Sequence, residues 1–329
     1  MIKIKNMMEI KKILILIMMA VFIQTFLGSL FAAEPAEKLN VVVIISDDHA
    51  YHDFGFMGHP MIQTPNIDKL ASESLVFTRG YVSTALCAPA LASLQTGMYP
   101  HRHGWTGNDP VEGWGARQQW IDHYSQQPQL PALLAEQGYL SLHTGKYWQG
   151  DPKKVSGFTH SMGETLRHGS KASLGVGRDT MQPIYDFIEE ARGEKKPFLV
   201  WYAPFLPHTP HTPPDRLYQK YKGKTKRDAH AKYFAMVDWL DETCGDLMQY
   251  LDDNGLRENT MVMYINDNGW PHGDESSYRG HKMSPWEQGV RTPIMVRWPG
   301  KVKPRMDETN LAINLDIAVT ALVAAGIPV

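Results

Sequence analysis

The chain has 329 residues, 43% of them hydrophobic, which is enough to bury a large core. Lys plus Arg number 33 and Asp plus Glu 35, so the net charge is −2 and no basic face is available for general attraction to nucleic acid. Two cysteines, Cys87 and Cys244, allow one disulfide and exclude a disulfide framework.

Four lysines (Lys3, Lys5, Lys11 and Lys12) precede an apolar stretch over 13–33 that only Gln24, Thr25 and Ser29 interrupt. A charged lead followed by an apolar run is the pattern of an export signal, with cleavage near Ala33. An uncleaved membrane anchor is the other reading, because the run is nearly long enough to span. The division is therefore a signal peptide over 1–33 and a globular domain over 34–329. The expected location is periplasmic or extracellular, with no stable membrane association once the signal is cleaved.

Residues 40–45 (NVVVII) read as a strand buried on both faces, because the run is β-branched without alternation. A helix is expected over 66–74 and a strand over 75–81. Residues 130–137 read as a helix that stops at Gly138, and 139–143 as a short strand. A helix over 180–192 precedes a strand over 197–203 (PFLVWYA). A long helix over 230–254 ends at Gly255, followed by strands over 260–265 (TMVMYI) and 293–298. A last helix over 315–325 stops at Gly326. Helices alternating with buried strands predict an α/β fold, with a mostly parallel central sheet covered by helices on both faces.

In open sheets of this kind, ligands bind beyond the carboxyl ends of the strands. Asp47 and Asp48 follow the first strand, and Asp267 and Asn268 follow 260–265. Lys146 follows 139–143, His208 follows 197–203, and 75–81 leads to Cys87. Adjacent buried aspartates repel, and one must take a proton unless a divalent cation intervenes. Three carboxylates and an amide oxygen form a hard-oxygen set that suits calcium, and magnesium less well. Singly, Asp47-Asp48 could cap a helix and Asp267-Asn268-Gly269 could be a turn. Both together, each after a buried strand, favour a metal. Cys87 opens a segment in which Pro89 suits the first helical position. A thiol there is expected to have a lowered pKa, beside free amides that bind tetrahedral oxyanions. A lone cysteine is otherwise a small buried hydrophobe.

The run over 40–104 resembles the opening of the sulfatase family, the arylsulfatase-like, formylglycine-dependent hydrolases of the alkaline phosphatase superfamily. It has the acidic pair, then Thr64-Pro65-Asn66-Ile67-Asp68, then Cys87-Ala88-Pro89 closing on Thr96-Gly97 and Tyr99-Pro100-His101. The similarity continues through 130–146, Pro207-His208-Thr209-Pro210, Asp267-Asn268-Gly269, and Lys282 to Pro299-Gly300. The resemblance implies that a formylglycine-generating maturation enzyme converts Cys87 to an aldehyde. The hydrated aldehyde would then attack the sulfur of a sulfate ester, with calcium lowering the pKa of the attacking hydroxyl. It further implies Asp47, Asp48, Asp267, Asn268 and residue 87 as calcium ligands, and Lys146 as a contact to the sulfate oxygens. His208 and Lys282 would hold sulfate and assist the leaving group.

The implied substrate is a sulfated small molecule or polysaccharide. Trp105, Trp114, Trp120, Trp148 and Trp270 are candidates to stack on sugar faces. Two positions depart from the family pattern. Leu91 stands where the motif has arginine, and Trp148 where it has histidine two residues after the lysine. His49, His52, His101, His103 and His143 are nearby imidazoles that could compensate. The departures keep open a non-catalytic sulfatase-like binding protein, and the shared shape of phosphate and sulfate keeps open a phosphoester or phosphonate hydrolase. Family members also carry a smaller C-terminal subdomain beyond the point that corresponds to Val329, so the resemblance implies a chain without it.

Overall fold

The computed structural model describes residues 38–111, 113, 115–164, 167–270 and 282–329. The apolar runs form strands β1 (Asn40–Ser46), β2 (Leu75–Tyr81), β3 (Leu140–Gly145), β4 (His160–Ser161), β5 (Phe198–Ala203), β6 (Thr260–Asn266), β7 (Arg291–Arg297), β8 (Arg305–Asp307) and β9 (Ala312–Ile313). One sheet carries them in the order β4-β3-β5-β1-β6-β7-β2-β8, and β9 also pairs with β2. Among the described strands only β7 runs against the rest, antiparallel to both β6 and β2. The expected strand over 293–298 is therefore present but reversed, and it begins at Arg291. Pro197, expected to open a strand, lies outside β5 and lends only its carbonyl, to Leu140 N–H at 3.0 Å.

The sheet is buried on both faces, as a β-branched run requires. Val41, Val43 and Ile45 of β1 enter one apolar cluster, and Val42 and Ile44 enter the other. The helices used below are α1 (Pro65–Ser72), α2 (Cys87–Thr96), α3 (Leu130–Ala135), α4 (Gln182–Gly193), α5 (Asp228–Asp253) and α6 (Asp316–Ala324). The first cluster holds Leu91 and Leu94 of α2, Leu134 of α3 and Ala321 of α6. The second holds Leu70 of α1, Ile184 and Ile188 of α4, and Leu240 and Leu247 of α5. This is the α/β architecture that the alternation of helices and strands predicts.

Cys87 belongs to the first cluster and Cys244 to the second, so the sheet separates them and both thiols are free. The one disulfide that composition allowed does not form. Residues Lys38–Val329 make one compact unit. The expected signal over 1–33 lies outside the described residues, and among those no helix is long and apolar enough to cross a membrane.

Candidate metal and oxyanion site

Four adjacent strands, β3, β5, β1 and β6, run parallel and end at the same level of the sheet. Ser46 pairs with Asn266 and Gly145 with Ala203, so Asp47, Asp267, Lys146 and the chain towards His208 leave the sheet side by side. The exits are fastened to each other. Asp267 N–H donates to Ser46 O at 2.8 Å, Asp47 N–H to Leu206 O at 2.8 Å, and Lys146 N–H to Ala203 O at 2.9 Å. Gly145 has a φ of 84°, and a Cβ there would lie 1.6 Å from Ala203 O, so the turn into Lys146 admits only glycine. Asp48 adopts a φ of 58°, tolerated better by Asp than by most residues, and its N–H donates to Asp267 Oδ1 at 3.1 Å.

These exits converge on a buried polar cluster. Lys146 Nζ donates to Asp47 Oδ1 at 2.7 Å. Lys282 Nζ donates to Asp48 Oδ1 at 2.5 Å and stands 3.0 Å from Cys87 Sγ. Asn268 Nδ2 donates to Asp48 Oδ1 at 2.7 Å. What remains is a set of oxygens with nothing to accept from. Asp47 Oδ2, Asp48 Oδ2, Asp267 Oδ2 and Asn268 Oδ1 are buried and have no hydrogen-bond partner among the described residues. Leaving one such acceptor unpaired costs about 1–3 kcal/mol, and more for a charged oxygen, so four in one cluster call for a cation.

His208 gives the same indication. Its Nδ1 lies 2.5 Å from Thr209 O, which can only accept, so the neutral ring carries its proton there. Nε2 then directs a lone pair at Asp48 Oδ2, 3.4 Å away, an unfavourable pairing unless a cation or proton lies between them. Ligand atoms of Asp47, Asp48, Cys87 and His208 all fall within 4.8 Å of one another. The four orphan oxygens of Asp47, Asp48, Asp267 and Asn268 are hard donors that fit a divalent cation such as calcium.

The titration behaviour agrees. Burial raises Asp47 to about 6 despite Lys146, and burial with Asp47 beside it raises Asp267 well above the ordinary carboxylate range. For Asp48 the burial effect is overcome by the Lys282 ammonium, with Lys146 adding to it, and its pKa falls. Burial opposes the charge on Lys146 and Lys282, but the surrounding acids prevail and both are raised. Burial lowers His208 to about 3, and Lys146 reinforces this.

The sulfatase family model matches residues 39–327. The chain belongs to the sulfatase family. It is 26% identical to N-acetylgalactosamine-6-sulfatase of Canis lupus familiaris, over 91% of this chain and 65% of that protein. Arylsulfatase A of Homo sapiens is 28% identical, over 89% of this chain and 65% of that protein. This sulfatase-family chain thus spans about 65% of the length of these curated relatives. Among solved structures, one in complex with its substrate D-glucosamine-2-N,6-O-disulfate superposes with a TM-score of 0.68 at 21% identity, covering 89% of this chain and 77% of that one. The phosphonate monoester hydrolase of Agrobacterium radiobacter gives 0.69 at 18%, covering 88% and 74%. These likenesses establish the shared fold.

The structure corrects two expectations for this sulfatase-family site and places its two departures from the motif. Cys87 is not an activated thiol at an open helix end. It is buried, burial raises its pKa well above the ordinary value, and the neighbouring aspartates add to that. Helix α2 starts at Cys87 itself, two residues before Pro89, and the Ala88 N–H is already bonded to Asn108 Oδ1 at 3.0 Å. Leu91 and Trp148 are both buried in the apolar cluster that contains Cys87, so two polar positions of the family motif have become core here.

The candidate imidazoles have partners elsewhere. His49 bonds Asp53 O at 3.0 Å and Tyr264 Oη at 3.3 Å, and His103 bonds Ser93 Oγ at 3.0 Å. His52 lies 3.5 Å from Asp53, His101 stacks on Tyr99, and His143 packs between Tyr147 and Phe158. Of the tryptophans, Trp105 and Trp148 are fully buried, Trp120 packs on the core and Trp114 lies outside the described residues. Trp270 is half-buried, packs against a third apolar cluster, and has Lys282 Nζ 5.8 Å from its ring.

Two residues at the site follow no strand end and carry no motif in the sequence. Arg178 donates through Nε to Phe205 O at 2.8 Å and through Nη2 to His208 O at 3.0 Å, gripping the segment that presents His208. His168 faces His208 and Trp148, and burial with Lys146, His208 and Lys282 lowers it to about 4.

Proposed function

We propose that this chain hydrolyses sulfate esters, acting on a sulfated carbohydrate in an exported compartment, with calcium in the buried oxygen set. The observation that carries the reading is the group of four unpartnered oxygens at the ends of β1 and β6, flanked by two lysine ammoniums. Family membership supports the reaction class. The names of the curated relatives and the disulfated sugar in a structural neighbour support the substrate class.

Asp47, Asp48, Asp267 and Asn268 would hold the cation, with residue 87 beside it. Calcium held there, with Cys87 matured to formylglycine by a maturation enzyme, would supply a hydroxyl nucleophile of lowered pKa. The other steps belong to the chain's own side chains. Lys146 and Lys282 set two positive charges around the position of the sulfate, where negative charge accumulates during S–O cleavage. His208 keeps an unprotonated Nε2 towards the cluster, suited to accept a hydrogen bond from a hydroxyl there, and the Lys282 ammonium is the donor available to the departing oxygen. Trp148 and Leu91 exclude water beneath the site and sharpen each electrostatic contact above it.

A second reading is a sulfate-binding protein without turnover, favoured by the burial of Leu91 and Trp148 in place of the motif's arginine and histidine. Mass spectrometry of the peptide containing residue 87, from protein co-expressed with a formylglycine-generating enzyme, decides between them. An aldehyde at residue 87 together with aryl sulfate turnover supports the hydrolase. An intact thiol and no turnover would leave the binding protein.

A further inference from the structure

His168 is held beside the site by a turn fastened to the exit of β3. Its backbone is left-handed, with a φ of 64°, a region that few residues bearing a Cβ occupy. The turn that imposes this conformation is clamped onto the exit of β3. Tyr147 N–H donates to His168 O at 2.8 Å. Gly169, with a φ of 152°, sits so close that a Cβ would lie 2.8 Å from Gly145 O. Ser173 Oγ donates to the same Gly145 carbonyl at 2.8 Å. The run Gly145-Lys146-Tyr147, which delivers the lysine, therefore also fixes the turn that delivers the histidine.

The ring is directed at the anion-binding groups. Its centroid lies 5.5 Å from His208, 5.1 Å from Trp148 and 5.6 Å from Phe205. The Lys146 ammonium lies 4.7 Å from the Trp148 centroid and 5.5 Å from the Phe205 centroid, so His168 caps the aromatic wall behind that ammonium. The surroundings hold the ring by its faces and edges, and among the described residues neither ring nitrogen has a hydrogen-bond partner. The residue is half-buried, whereas Asp47, Asp48, Lys146 and Cys87 are nearly inaccessible.

We propose that His168 is a further substrate-contacting residue, whose ring nitrogen hydrogen-bonds the anionic ester held between Lys146, Lys282 and His208. The site gains an imidazole from the 167–169 turn, while position 148, three residues past β3, carries an indole. The proposal rests on the sulfate-ester reading, and its test separates the two.

The test is calorimetric titration of inorganic sulfate into the calcium-loaded protein, with kcat and KM for para-nitrophenyl sulfate measured on the same samples. His168→Ala should weaken sulfate binding at least about fivefold and kcat/KM at least about tenfold, with the calcium-induced rise in Tm unchanged. His168→Asn, which tolerates the left-handed backbone and keeps a donor and an acceptor, should recover part of both. A wild-type protein that carries the aldehyde at residue 87 and binds sulfate in a His168-dependent way yet cleaves no ester keeps this inference and removes the hydrolase reading. A protein that cleaves the ester with constants unmoved by either substitution keeps the hydrolase and overturns the inference. Equal loss of sulfate binding and calcium response in both variants overturns it too, because the role would then be structural.

Discussion

Asp47, Asp48 and Asp267 share one buried network with two lysines, so the metal-free site holds more negative charge than its surroundings favour. Removing one carboxylate should then have opposite effects with and without metal. Asp267→Ala is expected to leave the chelator-treated protein at least as stable as wild type, because a charge conflict is relieved. The same change should abolish stabilisation by calcium, which for the wild type is about 2.7 kcal/mol at a hundredfold excess over Kd. Scanning calorimetry with and without calcium measures both; a variant that keeps the calcium shift would place the metal elsewhere. The acids, Lys146 and His208 are legible in sequence because each follows an apolar run that must end at the sheet edge. His168 and Arg178 are not legible, since they sit in turns whose direction depends on contacts with Gly145, Phe205 and His208 far along the chain.

At the scale of elements, the site depends on parallel strands ending in register. Gly145 is the most constrained point, because the β3–β5 ladder brings Ala203 O against its α-carbon. Gly145→Ala should destabilise the protein by roughly 3 kcal/mol or more, combining backbone strain with loss of the ladder's end. A denaturant midpoint close to wild type would mean that the turn relaxes without cost. The strands legible in sequence are those buried on both faces, such as β1, β5 and β6, whose apolar runs have no other stable placement. Strands β4, β8 and β9 have two or three residues each, too few for any periodicity to show. The reversal of β7 depends on pairing with β6 and β2, which a local pattern does not encode.

Over the whole molecule, histidine burial sets the response to acid. Burial lowers His49, His143 and His208 to about 3, and His59, His103, His168 and His211 to about 4. Each stays neutral when folded and becomes charged when unfolded below its ordinary value of 6.5. Their stabilisation is thus complete above pH 6.5 and is lost as pH falls towards 3–4. Asp47, Asp53 and Asp241 work in the other sense in metal-free protein: their contribution is complete below 3.8 and is lost as pH rises through about 6, and burial raises Asp267, Asp238 and Asp246 in the same direction. Because the seven histidines still outnumber these six acids, thermal melts in chelator should show Tm falling below pH 6.5, and a flat or rising Tm would contradict the burial assigned to them. Calcium affinity should weaken below about pH 6, where Asp47 takes up a proton in competition with the metal. The proposed calcium ion in the unpartnered oxygens, serving sulfate-ester hydrolysis, is tested most directly by the rate of para-nitrophenyl sulfate hydrolysis by matured protein, before chelation, after it, and after calcium is restored. Turnover should disappear on chelation and return with calcium. Turnover indifferent to chelation, or none in protein shown to carry the aldehyde at residue 87, would contradict it.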